Sequence, residues 1–167
     1  MDKQIILLNG PSSSGKSTLS KALQSLIKTN FGKQFDIISI DDFLKMSTSD
    51  TIYEDDVFAI SHDMCQKVLD VLAHSPGVII DHVITSERIF IQLQEMLLEH
   101  PIHKVLVTCP VDVLLERERT RKNRCIGSAA ASREYLYPKT GYDITVDTYC
   151  HNPEECAVMI CRSLLKI

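Results

Sequence analysis

Residues 5–23, IILLNGPSSSGKSTLSKAL, join an unbroken apolar run to a glycine-flanked polar loop and then to an amphipathic segment. Ile5 through Leu8 read as a buried strand, because consecutive apolar residues leave no face for solvent. Leu19, Ala22, Leu23, Leu26 and Ile27 recur at helical spacing, so the third part reads as a helix with one apolar face. Between them Gly10-Pro11-Ser12-Ser13-Ser14-Gly15-Lys16-Ser17 matches G-x-x-x-x-G-K-[ST]. A loop of this spacing curls so that successive backbone N–H groups point inward at phosphate oxygens. Its glycines permit the torsions and the close approach. Lys16 is placed to reach the β- and γ-phosphates, the Ser17 hydroxyl to reach Mg²⁺, and the helix directs its positive end at the same anion. A serine-rich turn can match the pattern by chance, but the flanking strand and helix are the context that confirms it. Gly10, Pro11, Ser12, Ser13, Ser14, Gly15, Lys16, Ser17 and Thr18 are therefore the expected nucleotide-binding set.

The same alternation continues along the chain. FDIISIDDF reads as a second strand ending in two carboxylates, GVIIDHVI as a third, HKVLVTC as a fourth and YDITVDT as a fifth. Helical spacing runs over residues 56–73, again from Ser86, and through VDVLLERERTR. A final helix begins at Asn152-Pro153-Glu154-Glu155, with Asn as cap, Pro first and Glu three after the cap. Residues 122–141 are the least regular and read as a loop or mobile segment. Strands alternating with helices specify an α/β, three-layer fold with a five-stranded parallel sheet, and the phosphate loop after its first strand makes the P-loop NTPase/kinase fold the expected type. Ligands in such sheets bind beyond the carboxyl ends of the strands.

A length of 167 residues fits one domain, 1–167. The net charge of −4 gives no general attraction to nucleic acid, and none is expected as a partner. No apolar run approaches the ~18 residues of a membrane helix, and MDKQIILLNG is not a signal peptide. The six cysteines contain no C-x-x-C pair, so zinc is unsupported and free thiols in a reducing cytoplasm are expected. Cys156 and Cys161 fall on the apolar face of the last helix.

The strand ends supply the candidate chemistry. Side chains alternate along a strand, so one of Asp41 and Asp42 is expected to face the phosphate loop as general base, with Asp41 favoured. The other is expected to cap the helix beginning near Phe43. Asp81, after VII, is a candidate metal or substrate ligand, and His82 a candidate for the acceptor pocket or simply a polar strand end. The other histidines lack ligand spacing. ERERTRKNRCIG places Arg117, Arg121 and Arg124 on roughly one helical face, at i, i+4 and i+7. They suggest a lid over residues 117–141 that brings positive charge onto the phosphates and excludes water. A solvated helix, with Glu116 and Glu118 as exposed partners, and an RNA-contacting patch are the competing readings.

IILLNGPSSSGKST, ISIDDFL, VIIDHVI and the run from ERERTRKNRCIG to YDITVDTYCHNPEECA resemble, in order, the chloramphenicol phosphotransferase family of P-loop small-molecule kinases. The resemblance implies ATP as donor, the hydroxyl of a small molecule as acceptor, and the phosphate-loop strand at the centre of the sheet. It aligns the family's catalytic Asp with Asp41, its lid arginines with Arg117, Arg121 and Arg124, and its acidic residue after the third strand with Asp81. Ser39-Ile40-Asp41-Asp42 stands where the family has a Gly-Val-Asp-Ser type sequence, and Arg121-Lys122-Asn123-Arg124 where it has Arg-Gly-Asp-Arg. Met46 to Asp55 has no counterpart. Contacts to the nucleotide base are expected near the lid and around Thr148 to Asn152. Two other functions fit parts of this pattern: a nucleotide or coenzyme-precursor kinase of the same fold, and a nucleotide-responsive binding module directed at RNA.

Overall fold

A computed structural model describes residues 3–45, 53–121 and 125–165 of the chain. Along them run β1 (Gln4–Asn9), α1 (Lys16–Phe31), β2 (Asp36–Ser39), α2 (Ile40–Leu44), α3 (Glu54–Leu72) and β3 (Gly77–His82). The second half holds α4 (Glu87–Met96), β4 (Ile102–Thr108), α5 (Val111–Thr120), α6 (Ser128–Glu134), β5 (Ile144–Asp147) and α7 (Pro153–Leu164). The sheet is parallel throughout, in the order β2-β3-β1-β4-β5, with β1 at its centre. The three-layer α/β expectation is borne out.

The period of two along the central strands sorts their side chains into two cores. Ile5, Leu7, Val78 and Ile80 pack with Met64 and Val68 of α3 and Leu93 of α4. Ile6, Leu8, Ile79 and Val107 pack with Leu19, Leu23 and Ile27 of α1 and Ile160 of α7. Thus the connection after β1 leaves over one face of the sheet and the connection after β3 over the other. A crevice opens between the carboxyl ends of β1 and β3, where such folds take their ligands. The cysteines in these cores act as small hydrophobes: burial pushes the Cys65 thiol up to about 12 and Cys161 up to about 11. No helix among the described residues is long and apolar enough to cross a membrane.

Three expectations change. The second strand stops at Ser39, and Ile40–Leu44 turn at once into α2. The Ser39 hydroxyl accepts the Asp41 N–H at 3.3 Å and supplies the cap, so neither aspartate caps this helix and the two do not alternate across a strand. Second, α5 ends at Thr120 and Arg121 is extended (φ −91°, ψ 112°), so the helical face expected to carry Arg117 and Arg121 is not continued; Arg124 lies outside the described residues. Third, the irregular stretch contains α6. Residues 46–52, within the segment without a family counterpart, also lie outside the described residues.

Candidate active site

Residues 10–17 form a tight loop between β1 and α1. A Cβ on Gly10 would overlap the Val107 carbonyl oxygen, so β4 presses on the loop where only glycine fits. Gly15, at φ 90°, turns the chain into α1. Ser13 takes a left-handed conformation, φ 68°, without being glycine, the kind of local strain that concentrates at functional sites. Lys16 is buried along its length and curls back over the loop, its Nζ donating to the Pro11 carbonyl at 2.8 Å and to Ser14 Oγ at 3.4 Å. The hydroxyls of Ser12 and Ser13 are buried with no hydrogen-bond partner among the described residues. Buried polar groups are ordinarily satisfied, so these two hydroxyls mark the loop as a candidate place for a polar ligand.

Ser17, in the first turn of α1, donates its hydroxyl to Asp81 Oδ2 at 2.8 Å. The contact follows from register and alternation. Asp81 lies opposite Leu8 and two residues after Ile79, on the α1 side of the sheet. His82 points the other way. It is fully buried, with Nε2 3.4 Å from Ser61 Oγ of α3. Burial first, and then the nearby Lys16 ammonium, lower its pKa to about 4, with Asp41 pulling in the opposite direction. Lys16, His82 and Asp41 therefore share one electrostatic neighbourhood. Asp41 is half-buried in the first turn of α2, whereas Asp42 is exposed and stands 3.8 Å from the equally exposed Lys45.

On the far side of the loop Arg117 is held rather than solvated. Its Nη1 donates to Thr148 Oγ1 at 3.0 Å and its Nη2 to the Thr148 carbonyl at 3.1 Å, with the Ser13 carbonyl 3.5 Å from Nη1. Thr148 Oγ1 in turn donates to the Ser14 carbonyl at 2.6 Å. Glu118 is not an exposed partner for the arginines. It is buried and accepts from the Gly127 and Ala129 N–H groups and the Ser128 hydroxyl, so its carboxylate anchors the start of α6. Ser132 of α6 then accepts the Ser12 N–H at 2.9 Å, joining α6 to the phosphate loop. Asn9, fully buried, ties the same end together: Nδ2 donates to the Tyr137 carbonyl and the Tyr142 hydroxyl, and Oδ1 accepts the Ile84 N–H, each at 2.9 Å. The reading of residues missed Thr148 as an anchor, and with it Glu118, Ser132 and Asn9. Only Thr148 carried a signal, its place in the Y-D-x-x-V-D-T run.

A glycine-cradled anion site at the carboxyl edge of a parallel sheet, with a hydroxyl and a carboxylate paired beneath it, defines a P-loop phosphotransferase fold. The chain belongs to the chloramphenicol phosphotransferase-like protein family, whose model matches residues 3–165. Solved structures of the same fold include the APS kinase CysC of Mycobacterium tuberculosis in complex with AMPPNP and APS, with a TM-score of 0.77 at 14% identity over 99% of both chains. A gluconokinase from Sinorhizobium meliloti 1021 has a TM-score of 0.69 at 19% identity, over 98% of this chain and 92% of that one. Shikimate kinase from Acinetobacter baumannii in complex with shikimate has 0.68 at 20% identity, over 98% and 93%. Comparison with curated protein sequences yielded no match. At these identities the structural likeness is one of fold.

Proposed function

We propose that this chain is an ATP-dependent O-phosphotransferase that moves the γ-phosphoryl group of ATP to a hydroxyl of a small molecule, as a single P-loop kinase domain. The observation that carries the reading is the 2.8 Å pairing of Ser17 with Asp81 beside a loop that holds a buried lysine and two buried serine hydroxyls without a partner among the described residues. Family membership and an APS kinase of the same fold in complex with AMPPNP support ATP as donor. The loop N–H groups and Lys16 hold the β- and γ-phosphates. Ser17 and Asp81 are hard oxygen donors suited to Mg²⁺, which when bound would offset the charge of the phosphate oxygens.

Asp41 accepts the proton of the acceptor hydroxyl. The hydroxyl oxygen bonds to the γ-phosphorus in line as the bond to the β,γ-bridging oxygen breaks, and ADP leaves with that electron pair. Asp41 is preferred over Asp42 because Asp42 turns outward beside Lys45. Asp42, Asp81 and His82 border the acceptor side. Arg117, held against the loop by Thr148, brings positive charge to the transition state, and the segment 117–141, to which Arg121 and Arg124 also belong, covers the phosphates and keeps water from them. Free thiols suit a reducing cytoplasm.

The test is mass spectrometry of the protein with Mg-ATP, chloramphenicol and a panel of small hydroxyl compounds. A product heavier by one phosphoryl group supports the reading, and its identity names the acceptor. ATP binding with salt-sensitive RNA binding and no phosphorylated product from the panel would overturn it.

A further inference from the structure

We propose that Thr148 is a positioning residue that transmits the charge of Arg117 into the phosphate loop and aims the Gly15 N–H at the donor's phosphates. The proposal rests on the donor site described above but assigns a residue to which that mechanism gives no role. The Thr148 hydroxyl is the middle of a chain of three groups. It accepts from Arg117 Nη1 at 3.0 Å and donates to the Ser14 carbonyl at 2.6 Å. The Thr148 carbonyl accepts a second guanidinium bond at 3.1 Å, so Arg117 is gripped at two points. Thr148 is itself fixed by its N–H, which donates to the Thr108 carbonyl at 3.1 Å and ties the turn after β5 to the end of β4.

The consequence for the loop follows from peptide geometry. The Ser14–Gly15 peptide is planar and trans, so its carbonyl and the Gly15 N–H point in opposite directions. Holding the carbonyl outward on Thr148 turns the Gly15 N–H to the inner side of the loop. A cationic donor behind the hydroxyl polarises it, and the hydroxyl polarises the carbonyl, which strengthens the N–H of the same peptide as a donor. Arg117 thereby acts on the anion through Thr148 as well as through its own field. Space agrees with this arrangement. A Cβ on Gly15 would lie 3.5 Å from Thr148 Oγ1 and 3.6 Å from Arg117 Nη1, so both groups are packed against the loop.

The experiment measures AMPPNP binding by calorimetry and the Gly15 amide proton shift by NMR, in the intact protein and in Thr148→Val, Thr148→Ser, Arg117→Ala and the Thr148→Val/Arg117→Ala pair. Valine keeps the shape and removes the hydroxyl. Its affinity for AMPPNP is expected to fall about tenfold or more, the loss of one charge-assisted bond. Serine should restore it. The double variant should bind no more weakly than the worse single one, because both changes cut the same relay. The Gly15 amide proton should move upfield in Thr148→Val and Arg117→Ala but not in Thr148→Ser. A Thr148→Val protein that binds AMPPNP like the wild type, or fully additive losses, overturns the proposal while leaving the phosphotransferase reading intact. A wild type that does not bind AMPPNP overturns the donor site itself. If Thr148→Val fails to fold, the Gly15 shift in Arg117→Ala decides: an unmoved resonance refutes the relay.

Discussion

Glu118→Gln is the most informative change outside the phosphate loop. Oε1 accepts from the Ser128 hydroxyl and the Ala129 N–H, both at 2.9 Å, and Oε2 from the Gly127 N–H at 3.1 Å. Glutamine keeps one oxygen for the first pair, but its NH₂ then faces the Gly127 N–H, donor against donor. One bond is lost and two lose their ionic character, for a total of about 2 kcal/mol. Most of that cost falls on the docking of α6, so its opening constant should rise about 30-fold. Hydrogen exchange over residues 125–135 reads this directly. Within that stretch the Ala131 N–H donates to Gly127 and the Tyr135 N–H to Ala131. Exchange should quicken there and not in α1 or α7. Glu116→Gln is the control, because among the described residues Glu116 pairs with Arg119 at 3.5 Å on the exposed side of α5. Acid should mimic the substitution. The Ala129 N–H above all, with those of Gly127 and Ser128, holds the Glu118 carboxyl below its ordinary 4.5 against the opposing effect of burial. Its contribution is complete above that unfolded-state value and fades as pH falls through the lowered folded-state value. Unchanged exchange at 125–135 in Glu118→Gln, or equal acceleration throughout the chain, would refute the view of Glu118 as a local anchor.

Lys16→Ala should abolish nearly all phosphoryl transfer in a coupled ADP assay. Asp41→Asn should keep AMPPNP affinity within about twofold while transfer falls by roughly 10²–10⁴, the usual span for loss of a general base. A variant with wild-type turnover would move the role to Asp42. Asn9→Leu leaves the buried Ile84 N–H and the Tyr137 carbonyl without their partner. A cost of about 3 kcal/mol should lower Tm by roughly 10 °C, read by calorimetric melting.

The readable parts of this chain are those whose cause is local. β1, the loop and α1 come from one stretch in which burial, glycine placement and helical period agree. The start of α7 was equally legible. Asn152 Oδ1 accepts the Glu155 N–H at 2.8 Å, and Glu155 returns a bond to the Asn152 N–H at 2.9 Å, as the spacing implies. α2 was hidden because Ile37, Ile38 and Ile40, with Ser39 alone between them, read as a single strand. The strand's end depends on the Ser39 side chain capping Asp41, which periodicity does not register. Glu118 entered only as an exposed partner in the competing solvated-helix reading, because glutamate is rarely buried unless it is paired. Its partners are backbone N–H groups of α6, and composition carries no mark of them. Thr148 stood out only through its place in the Y-D-x-x-V-D-T run, which carries no mark of the partners it anchors. Its contacts span 31 and 134 residues, and only the folded sheet brings them together.

His82 is held uncharged by its surroundings. Burial and Lys16 lower its pKa from 6.5 to about 4, against weaker opposing effects of the Val83 backbone and Asp41. A proton at His82 would place a second cation beside the loop lysine in a dry site. At neutral pH the imidazole is therefore uncharged. The same displacement has a cost for folding. Below pH 6.5 the unfolded chain takes a proton that the folded chain refuses, so stability is complete above 6.5 and declines as pH falls toward 4. A displacement of that size corresponds to about 3 kcal/mol. Urea midpoints of the wild type should fall between pH 7 and pH 4.5, and His82→Gln should flatten the part of that fall lying above pH 4.5. The imidazole resonances of His82 should show no titration between pH 5 and 8. A titration midpoint near 6.5 would mean that water reaches the ring and that burial does not hold it neutral.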